Sequence, residues 1–128
     1  MFLMGPTNGH DREASFPLTR EAPRSARHWL ADTGLAAPAL RQEAMLLVTE
    51  LVSNSVVHSG LSAPDEVRVQ MSPITDGLRV EVVDHGVGFD DAAPRPASSF
   101  GLRLVERTAQ RWGHTDHPTT VWFEVMEQ

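Results

Sequence analysis

Glu50 and Asn54 are the two residues whose types and spacing most clearly suggest chemistry. In a helix, side chains four positions apart point into the same space, so this carboxylate and this amide can reach one point. Together they can hold Mg²⁺ or a water molecule, since hard cations prefer oxygen ligands. The alternative is that Glu50 is solvated at a helix edge while Asn54 bonds a neighbouring loop. His58 continues the row, where a helix C-terminal cap is its more ordinary role.

A second candidate segment is Asp84-His85-Gly86-Val87-Gly88, which follows the strand-like residues Val80-Glu81-Val82-Val83. Two glycines one residue apart let the backbone turn sharply and let a flat ligand lie against the main chain. The carboxylate of Asp84 can accept a hydrogen bond from an exocyclic amine, such as the one on adenine. A plain turn after a strand is the alternative interpretation of the same residues.

The third candidate segment surrounds Gly101, close to the predicted start of a helix. The preceding loop, residues 85–98, is too long for a simple connection and has the length of a mobile lid. Free N–H groups and the positive end of the helix dipole near Gly101 favour a phosphate in the space that the loop covers. An ordinary serine N-cap explains the same pattern without a ligand.

The hydrophobic periodicity predicts the elements that must position these segments. We expect a mobile tail over residues 1–13 and a single domain over residues 14–128. The predicted helices cover about residues 21–33, 38–58 and 99–111, and the predicted strands cover residues 14–18, 66–71, 77–84 and 119–125. A hairpin signal lies at Thr75-Asp76-Gly77. The predicted fold is α+β, a two-layer sandwich with helices on one face of a mostly antiparallel, mixed sheet.

The long second helix carries a polar stripe beside its apolar face. Leu40, Ala44, Leu47, Val48, Leu51 and Ser55 form the face that we expect to pack on the sheet. The polar stripe consists of Glu43, Glu50 and Asn54. Leu47 and Leu51 border it on one side, and Leu46 and Val57 on the other. Polar groups between two apolar borders are expected to be partly desolvated, and they persist there when something pairs with them.

Composition limits the classes of function that the chain can serve. The 128 residues fit one compact domain, and the net charge of −6 without a basic cluster argues against nucleic acid as a direct partner. The absence of lysine removes a P-loop, and the absence of cysteine removes disulfides and thiolate metal sites. No apolar run is long enough to span a membrane, and the start does not look like a secretory signal. We therefore expect a cytoplasmic protein with no membrane contact.

Taken together and in this order, the three segments resemble the sequence boxes of the GHKL ATPase superfamily, which shares the Bergerat ATP-binding fold. The first box is similar to Glu50-Leu-Val-Ser-Asn54, the second to Asp84-His-Gly-Val-Gly88 and the third to Phe100-Gly101-Leu102. Over residues 14–127 the sequence looks most like the small anti-sigma-factor serine kinases and related regulatory ATP-binding proteins of actinobacteria. Ala26-Arg27, Leu104-Val105, Trp112-Gly113 and the final strand around Trp122 contribute to that likeness.

This resemblance implies a role for each site residue, with ATP and Mg²⁺ as the cofactors. Glu50 would be the general base, Asn54 the Mg²⁺ ligand and Asp84 the adenine contact. Thr120 would add a hydrogen bond near the adenine. The pocket and its lid would be shaped by Gly86, Gly88, Gly101 and Leu102. Two departures from the family pattern, Ser99 in place of a glycine and Pro118-Thr119 in place of Gly-Lys, lie on the lid and phosphate side.

The resemblance leads to two functional hypotheses. The first is a serine/threonine-protein kinase of the anti-sigma type, which binds a sigma factor or phosphorylates a small antagonist protein. The second is a nucleotide-dependent binding module without kinase activity, which the Ser99 departure favours. A metal hydrolase using His58, Asp84 and His85 lacks a further ligand, and the chain has no room for a histidine kinase's dimerising helix pair. A homodimer through Trp29 or the first strand is a further expectation.

Overall fold

A computed structural model describes residues 11–86 and 100–127 of the chain. Three helices and five strands occur in these residues. The helices are α1 (Ala22–Thr33), α2 (Pro38–His58) and α3 (Phe100–Thr108); the strands are β1 (Arg12–Pro17), β2 (Glu66–Ile74), β3 (Gly77–Asp84), β4 (Arg111–Asp116) and β5 (Thr119–Met126). None of the three helices is both long enough and apolar enough to cross a membrane.

The five strands form one sheet in the order β1-β2-β3-β5-β4, and all four pairings are antiparallel. The predicted hairpin joins β2 to β3 through a turn at Thr75 and Asp76. Asp76 adopts a left-handed conformation with φ of 56°, which suits an Asp in a tight hairpin turn. The sheet places the end of β3 beside the start of β5, and this is where the candidate site forms.

The helices pack on one face of the sheet, as the amphipathic patterns predict. Alternate residues of β3 and β5 point toward α2, because side chains alternate between the faces of a strand. Pro23 lies in the first turn of α1, and Gly34 ends that helix in a left-handed conformation. The shared core is built from fully or almost fully buried side chains, among them Leu30, Leu47, Val48, Leu51, Val69, Leu78, Val80, Val105, Phe123 and Val125.

The C-terminal part of the fold differs from the sequence prediction. The third helix ends at Thr108 and not at Arg111, and Arg111 instead begins β4, a strand that was not predicted. Gln110 donates its backbone N–H to the Glu124 carbonyl, which starts the pairing with β5. The β4 sequence Arg-Trp-Gly-His-Thr-Asp carries no apolar alternation, because this edge strand buries none of its residues fully. Its pairing partner, and not its own pattern, makes it a strand.

The other bounds differ from the prediction by a few residues. β1 begins at Arg12, so Arg12 and Glu13 belong to the sheet and not to the predicted tail, and β2 continues to Ile74. The rest of the tail, residues 1–10, lies outside the described residues, as does most of the predicted lid. Within the fold, Trp29 packs edge-on against Phe16 with ring centroids 6.1 Å apart, so both rings contribute to the contact between α1 and β1.

Candidate functional site

Asp84 is the central polar group of the site. It ends β3 on the face that points toward α2, and it is only 2% exposed. Its Oδ2 accepts a hydrogen bond of 2.7 Å from the Ser55 hydroxyl, and its Oδ1 accepts one of 2.9 Å from the Gly86 N–H. A carboxylate this deeply buried is expected to have hydrogen-bond donors. One donor lies on α2 and the other in the loop after β3, and together they fix the orientation of the carboxylate.

Gly86 lets the loop after β3 lie directly against the end of α2. A Cβ at this position would overlap the carbonyl oxygen of Ser59, and it would also lie 2.6 Å from the Ser59 Cβ. Ser59 is itself 1% exposed, so neither partner has room to move outward. Packing against Ser59 therefore requires a glycine at position 86, the position that the sequence pattern identified. The second glycine of the motif, Gly88, lies outside the described residues.

Asn54 precedes Ser55 on α2 and carries a buried side-chain oxygen that lacks a hydrogen-bond partner in the described part of the chain. The residue is 7% exposed, and its buried Oδ1 has no hydrogen-bond partner among the described residues. Leaving a buried polar atom unpaired costs about 1–3 kcal/mol, so such an atom is usually completed by a water molecule, an ion or a ligand. A free amide oxygen is a suitable ligand for Mg²⁺. The residue present here therefore fits the predicted metal.

Glu50 lies one helical turn before Asn54 and is half-buried. Across the described residues, no group of three histidine, cysteine, aspartate or glutamate side chains could hold a metal ion, so His58, Asp84 and His85 form no zinc site. Mg²⁺ is commonly held by one or two protein oxygens together with substrate phosphates. The arrangement therefore suits a metal that arrives with a nucleotide, and it disfavours the metal hydrolase.

The outer border of the predicted polar stripe is exposed and not buried. Leu46 is 48% exposed and Val57 is 66% exposed, whereas Leu47 and Leu51 on the other border are fully buried. The stripe itself is nonetheless partly desolvated as expected, since Glu43 and Glu50 are half-buried and Asn54 is buried. Asn54 is the most buried residue of the stripe, at 7% exposed, while Glu50 stays partly accessible.

The threonine that pairs with Asp84 in the sheet is Thr119, whereas the predicted Thr120 lies on the opposite face. Thr119 pairs with Asp84 in the register of β3 and β5, is 2% exposed, and has its Oγ1 3.4 Å from the Gly86 carbonyl oxygen. Thr120 pairs with Val83 on the opposite face, where its hydroxyl donates to the Pro118 carbonyl at 3.1 Å. Counting back by twos from the buried Phe123 would have found Thr119, because strand side chains alternate.

The remaining predicted residues lie at the start of α3. Gly101 is in the first turn of this helix, as expected, and residue 99 with the preceding loop lies outside the described residues. Leu102 is 5% exposed and belongs to the hydrophobic core, together with the fully buried Val105. Its side chain thus anchors α3 to the rest of the domain. Sequence reasoning also missed the role of Ser55, which it counted only as part of the sheet-facing side of α2.

The arrangement has a counterpart among known protein families. Residues 14–124 match the family described as the histidine kinase-like ATPase domain, which is most of the chain. The chain belongs to this family. The resemblance to GHKL ATPases is thereby confirmed, and the segments that carry Glu50, Asn54, Asp84 and Gly101 all lie within the matched residues.

A solved structure shares the same fold. The crystal structure of the RsbU and RsbW domains of Rv1364c from Mycobacterium tuberculosis matches this ATPase domain with a TM-score of 0.64 and 22% sequence identity. The match covers 96% of this chain and 33% of that chain, so the domain spans about a third of the length of the solved relative. At this identity the likeness shows the fold alone. A comparison with curated proteins gives no match.

Proposed function

We propose that this ATPase domain binds ATP with Mg²⁺ in the crevice between the C-terminal half of α2 and the end of β3, and transfers the γ-phosphoryl group to a protein hydroxyl. The single observation that carries the proposal is the buried, unpaired Oδ1 of Asn54, the residue before Ser55, whose hydroxyl holds the Asp84 carboxylate. Membership of the histidine kinase-like ATPase family supports the choice of nucleotide.

Asp84 is the proposed adenine contact. Its carboxylate can accept more than two hydrogen bonds, so the exocyclic amine of adenine can add to those from Ser55 and Gly86. Thr119 replaces Thr120 as the proposed threonine of this end of the site, since it lies on the same face of the sheet as Asp84. Gly86 lets the loop pack against Ser59 at the end of α2, and from there its N–H donates to Asp84.

Asn54 and Glu50 are the proposed residues of the phosphate end. The Asn54 amide oxygen would hold Mg²⁺, which supplies charge neutralisation of the phosphates when bound. Glu50 would accept the proton from the attacking hydroxyl, a role that needs a carboxylate accessible from the open side of the helix. Its half-buried position on α2 meets that requirement. The backbone N–H groups at the start of α3 near Gly101 would contact phosphate.

The proposed phosphoryl acceptor is a serine or threonine of a small antagonist protein, with a sigma factor as the regulated partner. Support for this assignment comes from the sequence resemblance to anti-sigma-factor kinases and from the fold shared with a structure that contains an RsbW domain. A nucleotide-dependent binding module is the second candidate, because Ser99 stands where the family pattern has a glycine on the phosphate side. In that case the crevice holds nucleotide and no group is transferred.

Nucleotide titration of the wild-type protein and of Asp84→Asn tests the binding step. An asparagine offers one acceptor oxygen where two donors, from Ser55 and Gly86, now bind two oxygens. We expect ATP affinity to fall by at least about tenfold, because each hydrogen bond to a charged group contributes about 1.5–3 kcal/mol. Equal ATP affinity in the two proteins would refute the adenine contact.

Incubation with labelled ATP and candidate antagonist proteins separates the two functions. A kinase labels the antagonist, and Glu50→Ala should still bind ATP while losing the transfer. A binding module labels nothing with either protein. Normal transfer by Glu50→Ala would show that Glu50 is not the general base.

A further inference from the structure

Ser55 uses its hydroxyl in an unusual way for a residue within a helix. It lies on a face of α2 that is otherwise apolar, and it is only 3% exposed. A helical serine or threonine commonly donates to a carbonyl of the preceding turn. Thr49 of the same helix does so, with its Oγ1 2.6 Å from the Met45 carbonyl oxygen. The Ser55 hydroxyl instead reaches across to β3 and donates to Asp84 at 2.7 Å.

This bond joins two different elements at the base-binding end of the crevice. Asp84 Oδ2 is held from α2 by Ser55, and Asp84 Oδ1 is held by the Gly86 N–H of its own loop. Two donors on two oxygens fix the plane of the carboxylate, and the burial of Ser55 and Asp84 keeps water from competing for these bonds. A carboxylate fixed in this way can receive a ligand N–H without rearranging, which lowers the cost of binding.

We propose that Ser55 is a positioning residue that sets the preference of the site for a nucleotide with an exocyclic amine. The inference rests on the proposed function, because it assigns to Ser55 the orientation of the proposed adenine contact. Ser55 acts through Asp84 and needs no contact with the ligand. Its effect therefore depends on whether the ligand carries the amine that Asp84 accepts, and a purely structural role would lack that dependence.

The test compares two nucleotides on two proteins. ATP and purine riboside triphosphate differ only in the 6-amino group, so the ratio of their dissociation constants reports the Asp84 contact. We expect Ser55→Ala to lower the preference for ATP by about tenfold, since the carboxylate loses one of its fixed donors. Affinity for purine riboside triphosphate should change by less than about twofold, because this ligand does not use the amine contact.

Two variants serve as controls for hydroxyl chemistry and helix position. Ser53→Ala deletes the same group from the same helix, about 200° further round, and should keep the wild-type preference. Ser55→Thr keeps the hydroxyl and should restore most of the preference. If Ser55→Ala does not fold, Ser55→Cys keeps the size of the side chain with a much weaker donor, and the same loss of preference is expected.

The outcomes distinguish this inference from the proposed function. An unchanged ATP preference in Ser55→Ala, or an equal fall for both nucleotides, overturns the positioning role and leaves ATP binding intact. Failure of the wild-type protein to bind either nucleotide overturns the proposed function itself, and the positioning role falls with it. A selective loss for ATP that Ser55→Thr reverses supports both.

Discussion

At the residue scale, the free protein keeps a buried amide oxygen that nothing in its described part satisfies. Asn54 lies next to Ser55, whose hydroxyl donates to Asp84, so the contrast is local. Its unpaired Oδ1 should lower stability by about 1–3 kcal/mol relative to a satisfied group. A residue kept at such a cost is expected to act in ligand binding.

Asn54→Ala tests this expectation through stability and binding together. Truncating this buried side chain should lower the free energy of unfolding, whereas removing the unpaired oxygen should raise it. We therefore expect a net change of less than about 1 kcal/mol in the free energy of unfolding. Binding of ATP should lose its dependence on Mg²⁺. Urea denaturation and calorimetry with and without Mg²⁺ measure the two effects, with Gln42→Ala on the exposed side of α2 as control. Destabilisation by several kcal/mol would show that the oxygen is paired in the free protein.

Gly86→Ala tests the close approach of the loop to α2. The added Cβ would overlap the Ser59 carbonyl, so the loop must move, and we expect a loss of about 1–3 kcal/mol in unfolding free energy together with weakened ATP binding. Gly34→Ala is the matched control, because that glycine has a left-handed φ of 67° with open space around it. It should cost about 1 kcal/mol through backbone strain and leave ATP binding unchanged. Similar binding losses in both variants would contradict the packing argument.

At the element scale, the sequence predicted α2 and β3 to the residue because each has a clear period and a clear end. The strand β4 was not predicted, because an exposed edge strand with a central glycine shows no apolar alternation. Only its pairing with β5 identifies it as a strand. Asp84 and Asn54 were candidates from their types and spacing, and the family resemblance gave them their predicted roles. The choice between Thr119 and Thr120 required the register of β5, and the Ser55 hydrogen bond required the distance between helix and sheet.

Gly113→Val tests how β4 is held. Gly113 lies directly under the ring of Trp122, and a Cβ there would come within 2.7 Å of the indole nitrogen. We expect the larger side chain to displace the ring from β4 and to lower the free energy of unfolding by about 1–3 kcal/mol. Thr115→Val, two residues along the same face, should change stability by less than about 0.5 kcal/mol. Guanidinium denaturation measures both, and equal stabilities would mean that the glycine is not required.

At the scale of the whole molecule, the domain is two layers, with helices on one face of the sheet and a charged outer face. On that outer face the Arg79 guanidinium lies 4.2 Å from the centre of the Trp122 ring and pairs with Glu81 and Glu124 at 3.1 and 3.0 Å. Exposed pairs of this kind contribute little singly, but Glu124 is largely buried beneath the arginines. A ligand that binds only the folded domain should raise the stability of the domain as a whole, whichever face it contacts.

Thermal denaturation with nucleotide tests this coupling. At about 100 times its dissociation constant, a ligand that binds only the folded state adds about 2.7 kcal/mol to stability. We expect a rise in melting temperature of several degrees with ATP and Mg²⁺, and a smaller rise with ATP alone. Asp84→Asn, whose affinity should be at least about tenfold lower, should show about half of this stabilisation or less at the same concentrations. An unchanged melting temperature at saturating nucleotide concentration would argue against binding to the folded domain.

The register of β5 ties the two faces of the sheet to each other. Thr119 points inward because Trp122 and Glu124 point outward, and a slip by one residue would exchange all three. The outer contacts of Arg79 with Trp122 and Glu124 thus help to hold β5 in this register, although they lie on the face of the sheet opposite Thr119. A substitution on the solvent side that allowed a slip by one residue would turn Thr119 away from Asp84 and so disrupt the proposed nucleotide site.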